Sequence, residues 1–280
     1  MLLQSLGECR CVEVCFWPNA IIRRCMLTRI LIRDCTTLFG EPYKRGELGS
    51  NRETSKVSTT RKMTGPLKQE VTRHGYAFLH EYCPKTDIVA LANALGQPLT
   101  QWEGRLVQDL VPRVTATPNT YSGIYGLDRF PLHTDLAHWR LPPRYLLLRC
   151  VTGHVDVSTL LLDGQAIFDA VTLDILTRAI FKPRRPRDGK ITLLRLYEPT
   201  DDGYCFRWDD VFLKPASRIG DIAGQRIREQ LPKCQPLSIT LARASDTLLI
   251  DNWRMLHARS PISDERVDRK IQRIYLENLH

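Results

Sequence analysis

The segment FPLHTD sets His133 and Asp135 two residues apart. In an extended segment both side chains leave the same face, because successive strand side chains alternate. An imidazole nitrogen and a carboxylate oxygen so placed suit a borderline divalent ion. One further imidazole completes the facial triad that leaves positions open on nonhaem iron(II). An H-x-D pair alone is a weak signal, met equally by a surface histidine beside a turn carboxylate. The third ligand has to come from elsewhere. Far downstream, β-like TLLIDN leads into WRMLHARSP, which supplies His257, and RKIQRIYLE follows with Arg269 and Arg273. The order His, Asp, His, Arg suits an oxygenase that chelates a dicarboxylic keto acid on iron. The distal carboxylate of that acid points into the protein, where a guanidinium matches it with two parallel hydrogen bonds. In an extended RKIQRIYLE, residues 269, 271, 273 and 275 share a face, so both guanidiniums can look into one pocket. Surface ion pairs with Asp264, Glu265 or Asp268 are the competing reading of these arginines, and a structural pairing with a carboxylate is the reading of Arg259.

Residues so far apart in sequence meet only if the fold converges them. Short β-like runs dominate: Tyr76–Leu79, Tyr145–Val151, Val157–Leu162, Ile191–Tyr197, Ser238–Ala242, Thr247–Ile250 and Lys270–Leu276, separated by turn clusters such as Asp201-Asp202-Gly203. Helical apolar spacing marks Thr86–Leu95, Gln165–Ile180 and Ser217–Leu231. Strands without an alternating strand–helix rhythm favour two packed sheets over a doubly wound parallel sheet. The expected class is mainly β with flanking helices, its core a double-stranded β-helix (jelly-roll, cupin-like), whose mouth gathers strands from distant parts of the chain.

With HTD, YLLLRCV, the Thr of VSTLLLDG, DNWRMLHAR and R-x-x-x-R in this order, the chain resembles the taurine dioxygenase and clavaminate synthase-like superfamily over roughly residues 70 to 280. The resemblance implies Fe(II) held by His133, Asp135 and His257, 2-oxoglutarate as cosubstrate held by Thr159 and Arg269, and O2 as oxidant. Thr159 also reads as an ordinary β-branched strand residue. Arg273 matches a position that in relatives often faces substrate. Arg129 stands where relatives can carry an asparagine four residues before the H-x-D. Tyr121, Ser122 and Tyr125, in the loop before the metal motif, and Arg207 and Trp208 in YCFRWDD are further pocket candidates. The extra arginines point to a small anionic substrate such as an amino acid or biosynthetic intermediate. The resemblance also implies decarboxylation of 2-oxoglutarate to succinate coupled to oxidation of an unactivated carbon. Related halogenases replace the carboxylate ligand with a small residue, so Asp135 favours hydroxylation.

The net charge of +9 invites a nucleic-acid reading. Residues 1–62 carry 11 basic against 6 acidic residues, which leaves 29 against 25 for the rest. So mild an excess in the main body fits a solvated surface or attraction of small acids better than a nucleic-acid groove. That module and a non-catalytic cupin-type metal protein are the alternatives. The apolar runs fall short of the roughly 18–20 residues of a membrane span. Arginines interrupt the opening segment where a secretory signal would be apolar. Nine cysteines without a paired pattern read as free thiols, and the chain reads as cytoplasmic. The Cys-rich, then polar stretch 1–62 reads as a poorly ordered or misassigned extension, with Met63 as native start and the oxygenase domain at 63–280. His74, His80, His138, His154 and His280 lack an ordered set of partners.

Overall fold

YLLLRCVT is apolar without alternation, the pattern of a strand covered on both faces, and its first six residues are all buried. The structure, a computed structural model, describes residues 65–280 apart from 101–103, 114–116 and 187–188, so the expectation for residues 1–62 lies outside the described residues. The strands that position the site are β1 (Tyr76–Leu79), β2 (Gly96–Leu99), β3 (Gln108–Leu110), β4 (Tyr145–Thr152), β5 (Thr159–Asp163), β6 (Leu237–Ile239), β7 (Thr247–Asp251), β8 (Met255–Arg259) and β9 (Lys270–Leu279). The larger sheet runs β1-β7-β4-β9-β2, with β3 also on β9; the smaller runs β6-β5-β8, and every pair is antiparallel.

The two sheets face one another. Leu146, Leu148, Leu248, Ile250, Ile271 and Tyr275 of the larger pack with Leu161, Ile239 and Met255 of the smaller. Alternation then sends Leu160, Leu162, Leu256 and Ala258 to the opposite face, into a second core with Phe181, Trp208, Ala223 and Ile227. Residues 255, 257 and 259 therefore point between the sheets, which is how His257 reaches the interior. This is the expected jelly-roll core with flanking helices. Among the described residues no helix is long and apolar enough to cross a membrane.

Local readings shift in places. The expected helix Gln165–Ile180 is two short helices, Gln165–Phe168 and Leu173–Arg178, parted by a break at which Val171 is completely buried and Thr172, at ψ 151°, leaves the helical region. Asp87 caps the helix Ile88–Leu95 by accepting from the Val89 and Ala90 amides. Ser217 caps Arg218–Gln230, its side chain accepting from the Gly220 amide. The 191–197 run divides between Leu194–Arg195 and Tyr197–Thr200, and 238–242 contracts to β6. Cys150, Cys205 and Cys234 are free, whereas Cys83 is disulfide-bonded, a departure from free thiols throughout.

At the end of β7, Asp251 accepts from the Trp253 amide at 3.0 Å and lies 3.9 Å from Arg144 Nε. Burial pushes its pKa up to about 6 despite Arg144. A carboxyl raised on folding stabilises fully below its unfolded pKa, and that contribution is lost as pH rises through the folded value. Asp251→Asn is therefore expected to gain on the wild type by on the order of 2–3 kcal/mol between pH 4 and pH 7. Urea unfolding across that range checks it, and a pH-independent difference would refute it.

Candidate functional site

His133 and His257 meet as an isolated antiparallel bridge, the His133 amide donating to the His257 carbonyl at 3.0 Å and the His257 amide returning the bond at 2.8 Å. Paired so, their side chains leave one face, with ring centroids 4.6 Å apart. Asp135, two residues on, joins them. Its Oδ1 lies 3.5 Å from the Nε2 of each histidine, and the three ligand atoms lie within 4.8 Å of one another. All three residues are buried. His133 Nδ1 sits 2.8 Å from the Pro131 carbonyl, which can only accept, so the proton belongs on Nδ1 and the Nε2 lone pair is free. Burial lowers the pKa of His257. Burial acts the same way on His133, but the Asp135 carboxylate outweighs it and raises that pKa. Asp135 is held well below the usual carboxylate range: Arg273 and the two imidazoles more than offset its burial. Two imidazole nitrogens and one ionised carboxylate oxygen converging from one side fit a divalent iron-type ion.

The carboxylate is oriented from behind. Its Oδ2 accepts from Arg273 Nη1 at 2.5 Å and from the Tyr275 hydroxyl at 2.9 Å. Gln108 Oε1 takes the Arg273 Nε and Nη2 at 3.1 and 2.5 Å. Fully buried Asn252 grips the Asp135 backbone, accepting from its amide at 2.7 Å and donating to its carbonyl at 3.0 Å. That grip coincides with a left-handed Leu136, φ 55°. Asn252, Tyr275 and Gln108 escaped the sequence reading. The DN of TLLIDN and the i+2 relation of Tyr275 to Arg273 were the available signals.

Arg269 is different. It is 6% exposed, its Nε has no hydrogen-bond partner, and no carboxylate pairs with it among the described residues. Burial, opposed only weakly by the Cys150 thiol, pulls its pKa down. Neither Arg269 nor Arg273 pairs with Asp264, Glu265 or Asp268; Asp268 holds His154 at 2.7 Å instead. Thr159, also buried, stands opposite Arg259 in the β5–β8 pairing, two places from the Leu161–His257 pair and on the same face. A buried guanidinium without an anion is costly.

No protein-family profile matches the chain. Among solved structures it is similar to an asparagine oxygenase in complex with Fe(II), (2S,3S)-3-hydroxyasparagine and succinate, with a TM-score of 0.60 and 15% identity over 78% of this chain and 79% of that one. The nonhaem iron oxygenase OrfP with Fe, succinate and (3S)-hydroxy-L-Arg gives 0.58 at 19% identity, covering 79% and 80%. PvcB of Pseudomonas aeruginosa gives 0.58 at 17%, covering 78% and 81%. These three structures share its fold.

On this fold the pocket candidates separate. The Tyr121 ring stacks on His133 at 4.1 Å and 22°, enclosed by Phe130 and Phe212, and its hydroxyl is buried beside Asp209. Tyr125 stacks in turn on Tyr121 at 6.1 Å. Arg129 is exposed and does not join the cluster. Arg207, expected at the mouth, is instead fully buried, with its guanidinium on the carbonyls of Ala137, Trp139 and Arg140 and on Glu198. It clamps the turn after Asp135, because a buried guanidinium must satisfy its donors locally. Trp208 is core. Arg273, expected to face substrate, lies against Asp135. Arg259 holds no carboxylate: its Nη2 donates to the carbonyls of Gly126 and Asp128 at 2.8 and 2.6 Å, and its guanidinium lies 3.9 Å over Phe130. Burial, then the nearby Arg269 charge, lowers its pKa to about 10.

Proposed function

We propose that this protein is an Fe(II)- and 2-oxoglutarate-dependent oxygenase that hydroxylates an unactivated carbon of a small anionic molecule, an amino acid or similar biosynthetic intermediate. The observation that carries the reading is the buried His133–Asp135–His257 cluster together with Arg269, a buried guanidinium without an acidic partner among the described residues. His133, Asp135 and His257 hold the metal, and Arg269 and Thr159 take the distal carboxylate of 2-oxoglutarate. Iron with 2-oxoglutarate and O2 supplies the oxidising power, one oxygen atom leaving in succinate as CO2 departs and the other entering the product as hydroxyl. Tyr121, Phe130 and Phe212 wall the His133 side against water. The retained Asp135 supports hydroxylation over halogenation. Hydroxylated asparagine and arginine in the structural neighbours support the amino-acid reading. A metal protein without oxygenase activity has no use for the unpaired Arg269.

Anaerobic addition of Fe(II) and 2-oxoglutarate is expected to produce the weak visible charge-transfer band of the chelate, and His257→Ala is expected to abolish it. No band in the wild type would remove the cosubstrate from the account. Succinate release stimulated by alkylsulfonates or nucleic acid, but by no amino acid, would overturn the substrate class.

A further inference from the structure

The Tyr121–Phe130 segment covers the His133 face of the cluster, and its ties run to one end of β8. The Phe130 amide donates to the Arg259 carbonyl at 3.0 Å, the Ile262 amide donates to the Leu127 carbonyl at 2.9 Å, and the Arg259 side chain holds the Gly126 and Asp128 carbonyls. Gly126 sits at φ +51°, a left-handed turn that glycine adopts readily and that presents its carbonyl to Arg259. Downstream, the segment runs directly into Pro131, whose carbonyl orients His133. Arg259 also stands beside Thr159 in the strand pairing and next to the charge of Arg269. One residue therefore stands across the strand pair from Thr159 and holds the loop that covers His133. Two guanidiniums that lack a shared anion repel across a buried space, and a carboxylate seated between them turns that repulsion into attraction.

We propose that Arg259 is a positioning residue that couples occupancy of the cosubstrate pocket to ordering of the Tyr121–Phe130 segment. An anion at Arg269 relieves the repulsion on Arg259 and firms its hold on the Gly126 and Asp128 carbonyls, which sets Tyr121 against His133 before substrate arrives. By linkage, a better-ordered loop strengthens cosubstrate binding by the same factor. This rests on the 2-oxoglutarate reading of Arg269.

Hydrogen exchange of residues 121–130 in the full chain, with Fe(II) under anaerobic conditions and with or without 2-oxoglutarate, tests the coupling, the visible band reporting occupancy independently. The expected result is several-fold slower exchange with 2-oxoglutarate in the wild type. In Arg259→Gln, exchange is expected to be fast in both states, the band still forming at higher 2-oxoglutarate concentration, and Arg259→Lys is expected to restore part of the protection. A wild-type band without any change in loop exchange would overturn the coupling and leave the cosubstrate reading standing, as would Arg259→Gln responding like the wild type. Failure of the wild-type band would overturn both. The wild-type comparison decides the matter even if a variant folds poorly.

Discussion

Arg269→Ala is expected to weaken 2-oxoglutarate binding by on the order of 10²-fold or more, because truncating one partner of a buried charge pair costs roughly 2–5 kcal/mol. Metal binding is expected to survive, since no hydrogen bond or ion pair joins Arg269 to His133, Asp135 or His257. The same change has a second signature. Without cosubstrate, Arg269 is a buried cation with an unpartnered Nε and no carboxylate, so its folded state carries desolvation that nothing repays. Arg269→Met, which keeps the apolar stem, is expected to unfold at equal or higher urea concentration than the wild type. Arg269→Lys is expected to bind 2-oxoglutarate with intermediate strength, because a point charge loses the two-pronged match. Lower affinity joined to undiminished stability separates a ligand-binding role from a structural one. The chelate band measures the first and equilibrium unfolding the second. A variant that binds 2-oxoglutarate like the wild type would remove Arg269 from the cosubstrate pocket.

Asp135→Ala is expected to have the opposite stability signature. Here the buried cation already has its partner: Arg273 donates to Oδ2 together with Tyr275, while Oδ1 faces both imidazoles. Removing the carboxylate strands Arg273, and breaking a buried pair from one side costs roughly 3–5 kcal/mol. Adding Arg273→Met is expected to recover a substantial part of that loss, a double-mutant coupling that urea unfolding of the metal-free proteins measures. The pH dependence follows from the depressed pKa of Asp135. The stabilisation is complete above the unfolded value of about 4 and is lost as pH falls through the lower folded value. The stability difference between the wild type and Asp135→Ala should therefore start to narrow only below about pH 4 and keep narrowing as pH falls through the folded value. Calorimetric titration with Fe(II) is expected to show loss of tight metal binding in Asp135→Ala. Equal stability of the two proteins at pH 7 would contradict the buried pair.

The sequence by itself determined whatever depends on local period and chemical type. Two-residue spacing in an extended segment was enough to place His133 and Asp135 on one face. Apolar runs such as YLLLRCVT marked the buried strands, and the order His, Asp, His, Arg picked out three residues that the fold gathers into one buried cluster and an arginine that it buries. Only the tertiary structure decided which of several identical guanidiniums does what. By residue type Arg207, Arg259, Arg269 and Arg273 are alike, and motif position alone put Arg207 among the pocket candidates and Arg273 against substrate. Packing leaves Arg269 without an anion, gives Arg273 to Asp135, and turns Arg207 and Arg259 onto backbone carbonyls. The reason is physical: a guanidinium's role is set by the nearest acceptors once water is removed, and those acceptors come from strands and loops distant in the chain. Asn252 gives the same lesson, gripping Asp135 across a separation of 117 residues. No local pattern records such a contact.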